Sequence, residues 1–131
     1  ITMSIYTLSR LPEEVRTELT NSLGELSDSL KIEVWRQYES EKIADHFEDA
    51  ATVKAVRDEY FGGNSWAWCA VEVQVRVGEL KVSEYLGCCN YASEADFLTG
   101  GYFAEMVKAC VESLRMEVTF AAKALGWTIA D

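Results

Sequence analysis

The sequence predicts an α+β fold in a single domain, with N-terminal helices, an antiparallel β-hairpin and a long C-terminal helix. Apolar residues follow a helical spacing before residue 62, change to a period of two between about 66 and 91, and return to a helical spacing after 101. With 131 residues, 49% of them hydrophobic, the chain has the usual size of one domain and can bury a core. Intrinsic disorder is therefore excluded.

The N-terminal region predicts two helices. The first begins at Pro12, followed by two acidic residues that suit the positive end of a helix dipole. A second helical run starts at Ser40, the expected N-cap, and ends at the glycine pair Gly62–Gly63. The stripe that would bury the first helix consists of Val15, Leu19, Leu23 and Leu26.

Two segments in this half are ambiguous. Over residues 28–38, Leu30, Ile32 and Val34 alternate as in a strand, but the spacing of Leu30, Val34 and Tyr38 also fits a helix. We expect a helix there, because both flanking segments are helical. Residues 3–8 are a candidate for an additional strand that extends the hairpin.

The hairpin is predicted from a period of two over residues 66–77 and 80–91, with apolar residues facing each other on one side except at Val73 and Glu84. The intervening Gly78–Glu79 has glycine first, as a type II′ turn requires. This turn places Val77 opposite Leu80 and so sets the register. The pairs expected further out are Val75 with Val82, Val71 with Leu86 and Cys69 with Cys88.

The opposite face of the hairpin gathers aromatic side chains at the end distant from the turn. They are Trp66, Trp68, Tyr85 and Tyr91. Such a cluster is either a second buried layer or an exposed docking patch. We expect cover from the N-terminal helices, because the chain has helical material to place there.

A long helix is predicted over about residues 101–125. Ser93 is a weak capping-box match, and Gly100–Gly101 interrupts the helical pattern before the long run begins. Gly126 is the expected residue that ends the helix. At 1.5 Å per residue the helix spans about 36 Å, which is enough to cross the hairpin and extend past it.

Nothing in the sequence predicts catalysis, a cofactor or a metal site. Nucleophilic catalysis with a histidine base would have to use His46, the single histidine, in a solvated acidic stretch. Phosphate-binding glycine motifs have the wrong element order around Gly62–Gly63. The cysteines Cys69, Cys88, Cys89 and Cys110 lack zinc-ligand spacing and are expected to be reduced thiols packed as small apolar residues.

The charge balance excludes several partners. With 12 basic and 22 acidic residues the formal net charge is −10, which argues against direct binding to nucleic acid or an anionic membrane. Neither a signal peptide nor a membrane-spanning run is recognised. Acids concentrate in the second helical run, where they form either a solvated face or a surface for a basic partner. The candidate partner-binding acids are Glu39, Glu41, Asp45, Glu48 and Asp49.

Part of the chain resembles a group of small uncharacterised proteins of tailed bacteriophages and prophages. The resemblance covers roughly residues 60–115 and rests on four blocks. These are Gly63-Asn64-Ser65-Trp66-Ala67-Trp68-Cys69, Tyr85-Leu86-Gly87-Cys88-Cys89-Asn90-Tyr91, Glu94-Ala95-Asp96-Phe97 and Gly100-Gly101-Tyr102-Phe103. The resemblance implies a phage accessory protein made in a bacterial cytoplasm, and it implies no activity or catalytic residues.

Together these observations predict a non-enzymatic inhibitor of a host nucleic-acid-handling or defence complex, of the anti-CRISPR or anti-restriction kind. Its partner would be a basic host protein or nucleoprotein complex, held by the acids above and by the aromatic cluster. Two alternatives stay open. One is a phage structural or assembly factor that self-associates, for example as a homodimer, and the other is a thiol- or metal-dependent enzyme using Cys69, Cys88 and Cys110.

Overall fold

The computed structural model describes residues 1–128, and over these residues it contains a four-stranded antiparallel sheet and five α-helices. The predicted α+β class is confirmed. The strands are β1 (Thr2–Tyr6), β2 (Lys31–Gln37), β3 (Cys69–Val77) and β4 (Leu80–Cys89). The helices are α1 (Glu13–Leu23), α2 (Ile43–His46), α3 (Ala50–Phe61), α4 (Glu94–Thr99) and α5 (Tyr102–Ala124). Short 3₁₀ turns lie at Leu8–Arg10 and Ser65–Ala67.

The strands lie in the order β1-β2-β3-β4, and one face of the sheet carries the core. Helix α5 packs on β3 and β4 and contacts α1 and α4 on the same side. The alternation of apolar residues along β2 and β3 supplies the sheet's half of this core. Its fully buried members are Ile32, Val34, Val71, Val73 and Val75.

The helix expected over residues 28–38 is wrong, because this segment contains strand β2. Ile32 and Val34 point into the core, and Glu33 between them is buried on the other face. Glu33 is stabilised there by Arg76, whose Nε lies 3.4 Å from the carboxylate. β2 is hydrogen-bonded to β1 on one side and to β3 on the other. The apolar spacing fits both a helix and a strand, and the pairing with these distant segments makes it a strand. The N-terminal strand therefore exists, but it pairs with β2 and not with the hairpin.

The second helical run is also divided, contrary to prediction. After the single turn of α2, Phe47 adopts an extended conformation and the chain restarts as α3. Asp49 caps α3 by accepting hydrogen bonds from the amide and hydroxyl of Thr52. Ser40, the expected cap, lies outside both helices.

The hairpin and its register next to the turn are confirmed. Pairing runs from Val77 with Leu80 out to Val71 with Leu86, and Gly78 takes the positive φ of 58° that the turn requires. The strands are shorter than predicted, because residues 65–67 form a 3₁₀ turn and β4 ends at Cys89.

The predicted pairing of Cys69 with Cys88 is wrong, since Cys69 pairs with Cys89. A β-bulge places one extra residue on β4 between Leu86 and the end of the strand. Cys88 adopts a φ of 54°, the one positive φ among the non-glycine residues described. The irregularity turns Cys89 toward the core, where it is buried opposite Cys69.

The long C-terminal helix is confirmed as α5, of 23 residues. Phe103, Val107, Cys110 and Leu114 bury one side of its first half against the sheet. It ends as expected at Gly126, whose φ is 75°. The amides of Gly126 and Trp127 donate to the carbonyls of Lys123 and Ala122, which is the Schellman arrangement.

Candidate functional site

The acidic segment, residues 39–49, lies between the end of β2 and the N-terminus of α3. Glu39 attaches it to the sheet, because its carboxylate accepts hydrogen bonds from the amides of Cys88 and Glu41. The pKa of Glu39 is lowered, chiefly by the hydrogen bond from the Glu41 amide. A methyl group added at Gly87 would meet this carboxylate at 3.1 Å, so Gly87 leaves room for the contact.

The side chain of Trp68 packs beneath the acidic segment. Its indole nitrogen donates to the carbonyl of Glu41 at 2.9 Å, and 5% of the residue is exposed. The rings of His46 and Phe47 lie 5.3 and 6.0 Å from the indole. The expected cover over this tryptophan is therefore provided by residues 41–47.

A pocket of about 320 Å³ opens between the start of the acidic segment and α3. Its walls are aromatic, and Tyr38 and Phe61 on its rim are 79% and 75% exposed. Glu39, Glu41, Lys42 and Arg57 also line it, which makes the charge of the lining balanced. The volume and the aromatic walls fit one inserted side chain of a partner.

The five predicted acids divide into two groups. Glu41, Asp45 and Glu48 are exposed, and their carboxylates make no hydrogen bond or ion pair within residues 1–128. The other two carboxylates accept hydrogen bonds within the chain. Glu39 accepts from the Cys88 amide at the β-bulge, and Asp49 accepts from the Thr52 amide and caps α3. Only the carboxylates of Glu41, Asp45 and Glu48 are therefore available to a basic partner.

The predicted aromatic cluster does not form one patch. Trp66 and Tyr91 turn to the core side, where they pack on Phe97 of α4 at ring distances of 5.5 and 5.2 Å. Trp68 stays under the acidic segment. The 3₁₀ turn before β3 and the bulge in β4 both break the alternation on which the prediction of one shared face depended.

Tyr85 occupies a third place, on the sheet face opposite the core. It is 69% exposed, and its hydroxyl donates to Glu72 at 3.0 Å. Met3 and Ile5 of β1 lie on the same face and are 40% and 52% exposed. This face is thus only partly apolar and lies apart from the acidic segment.

The cysteines are free, and three of the four are buried. The contact between the Cys69 and Cys89 thiols lowers the pKa of Cys69 and raises that of Cys89, and the Cys89 thiol donates to the carbonyl of Leu86. Burial raises the pKa of Cys110 to about 11, and its thiol donates to the carbonyl of Val73. Within residues 1–128, no group of three or more His, Cys, Asp or Glu side chains is placed to hold a metal ion.

No protein family, curated protein or solved structure matches the chain. Over the described residues, no helix combines the length and the apolar composition needed to cross a membrane.

The sequence reasoning missed the side chains that form the pocket. Tyr38, Tyr60 and Phe61 were not singled out, because each fitted a helix pattern on its own. One usable signal is the Tyr60–Phe61 pair immediately before the glycines, because neighbouring residues on a helix point in different directions and do not share one buried face. No local signal marks Arg57, whose place in the pocket depends on how α3 sits against the acidic segment.

Proposed function

We propose that the protein is a non-enzymatic binding protein that attaches to a basic protein partner through the acidic segment and the adjacent aromatic pocket. The observation that carries the proposal is a segment with three exposed, unpaired carboxylates, Glu41, Asp45 and Glu48, whose first residues also line a pocket with exposed aromatic side chains on its rim. Interfaces commonly combine a desolvated aromatic anchor with a charged rim.

The charge of the segment favours a basic partner. Its five acids outnumber Lys42, and the whole chain carries a net charge of −10, so a positively charged surface is attracted over long distances. The charged rim governs the association rate, whereas the aromatic anchor governs dissociation. An arginine or lysine side chain inserted between Tyr38 and Phe61 would also gain cation–π contact.

The partner class follows from the same chemistry. Basic grooves are common on proteins that hold nucleic acid, and an acidic protein that fills such a groove competes with the nucleic acid. Together with the resemblance to small phage proteins, this supports an inhibitor of a host nucleic-acid-handling or defence complex, acting in a bacterial cytoplasm.

The test begins with capture from bacterial lysate by wild type and by a triple variant in which Glu41, Asp45 and Glu48 are changed to lysine. A matched variant reverses Glu14, Glu25 and Glu79, exposed acids elsewhere, and has the same net charge. We expect the matched variant to retain a basic protein that the first variant loses. With that purified partner, the triple reversal should slow association about tenfold or more at low salt and less at high salt.

The anchor is tested separately with Phe61→Ala, which should speed dissociation while leaving the association rate close to that of wild type. The captured protein should also lose bound nucleic acid when wild type is added. Equal association of wild type and the triple reversal at low salt would contradict the proposal. Loss of binding in the matched variant to the same extent would contradict it as well.

A further inference from the structure

The C-terminal half of α5 and the turn that follows it extend beyond the core as an arm, residues 115–127. Leu114 is the last large side chain of the helix that is buried, and in the arm only Ala122 is buried. Met116, Phe120 and Trp127 are 72%, 76% and 71% exposed. The ten helical residues of the arm project by about 15 Å, so its apolar side chains lack cover from the rest of the described chain.

A stripe on α5 turned away from the sheet contains two large exposed apolar residues, Met116 and Phe120. We define the outer stripe as the half-buried Ala109 and Ser113 together with Met116 and Phe120. The steps between them are four, three and four residues, which is the spacing of positions a and d in a helix-pairing seam. At 100° per residue the outer stripe lies about 130° around the helix from the buried residues that pack on the sheet.

We infer that the outer stripe is a self-association surface, on which the α5 helices of two copies of this chain pair antiparallel. A crossing near residue 118 places Met116 against the partner's Phe120. Each contact occurs twice, as a two-fold interface requires.

Charge complementarity supports a second copy as the occupant. Glu112 and Lys123 lie on the same flank of the outer stripe, and neither makes an ion pair within residues 1–128. In the antiparallel register Lys123 of one copy approaches the partner's Glu112, and the reverse pair forms at the other end. The stripe is therefore complementary to itself, whereas the acidic segment is not.

The exposed apolar area fits a weak, concentration-dependent dimer. Met116 and Phe120 are 72% and 76% exposed, so two copies would bury roughly 600 Å² on these residues. Total interface areas below about 1,200 Å² are typical of weak associations.

The first test measures the mass of the wild-type protein by sedimentation velocity over a dilution series. We expect twice the 14.7 kDa mass of the chain, falling to one chain on dilution. Phe120→Asp should weaken the association at least tenfold. Val118→Asp is the matched control, because Val118 is 41% exposed and lies on the other side of the same arm; it should leave the dimer intact.

A charge exchange tests the antiparallel register. Lys123→Glu and Glu112→Lys should each weaken the association several-fold, and the double variant should restore it. The proposal is overturned by a wild-type monomer at roughly 100 µM, by dissociation in Val118→Asp and not in Phe120→Asp, or by failure of the double variant to restore pairing. These assays need no heterologous partner, so they can fail without bearing on the acidic segment.

Discussion

At the scale of single residues, Glu39 does the most to shape the candidate site. Its carboxylate reaches across to the irregular end of β4 and accepts the amide of Cys88, which the bulge leaves without a strand partner. A buried or half-buried amide without an acceptor is costly. Glu39 therefore stabilises both the bulge and the start of the acidic segment.

We predict that Glu39→Ala lowers the free energy of unfolding by about 1–3 kcal/mol, because it removes the acceptor from the Cys88 and Glu41 amides. Glu41→Ala is the matched control. Glu41 is an exposed glutamate two residues away, and its substitution should change stability by less than about 0.5 kcal/mol. Chemical denaturation of both variants at neutral pH measures the difference.

The pH dependence of the stability of wild type and Glu39→Ala supplies a second check of this contact. Because the pKa of Glu39 is lower in the folded chain than the ordinary 4.5, its contribution is present above pH 4.5 and is lost as the pH falls through the folded-state value. The gap in stability between wild type and Glu39→Ala should thus narrow in acid. A gap that stays constant down to the acid transition would mean that the carboxylate does not act through its charge.

At the scale of elements, α5 combines two different halves. Its first half buries Val107 and Leu114 against the sheet, and its second half leaves Val118 and Phe120 exposed. Helical periodicity continues through both halves, which is why the spacing alone predicts one long helix over about residues 101–125. Where the sheet ends decides which apolar residues of that helix are covered.

We predict that Val107→Asp or Leu114→Asp unfolds the protein, since burying an unpaired carboxylate costs several kcal/mol out of a total stability of about 5–15 kcal/mol. Val118→Asp, the same change in the same helix, should melt close to wild type. Lys108→Ala should also keep a near-native melting temperature, because it removes only surface ion pairs with Glu18 and Glu105. Native-like melting of both core variants would refute the packing of α5.

At the scale of the whole molecule, the first strand is tied to a helix near the end of the chain. Ser4 and Tyr6 of β1 both donate to the carboxylate of Glu94 in α4. Burial and this hydrogen bond raise the pKa of Tyr6 to about 12. The contact joins the edge strand β1 to the helical layer that covers the core.

We predict that Tyr6→Phe lowers the free energy of unfolding by about 1 kcal/mol at neutral pH. Since the folded-state pKa of Tyr6 is above the ordinary 10, the contribution is present below pH 10 and is lost as the pH rises toward 12. Thermal melts at pH 7–11 should therefore show wild type and variant converging in alkali. Tyr85→Phe, which removes a similar bond to Glu72 from an exposed tyrosine, should melt like wild type throughout.

The local pattern of residues along the sequence is sufficient to predict much of the fold. The hairpin register from Val71 to Leu80 and the helix ending at Gly126 follow from interactions between residues near in sequence, namely a glycine turn, alternating burial and a helix-terminating glycine. The acids beside the candidate pocket were also predictable, because composition alone concentrates them at residues 39–49.

The amino-acid pattern is thus sufficient for the α+β class, the hairpin, the long helix and the position of the acidic segment. Three features instead depend on contacts between distant segments: residues 31–37 form a strand, Cys69 faces Cys89, and Trp66 and Trp68 lie in different places. All three have the same cause. A short segment with two compatible periodicities, or an extra residue in a strand, is resolved by hydrogen bonds to segments far along the chain, and no local pattern contains those partners.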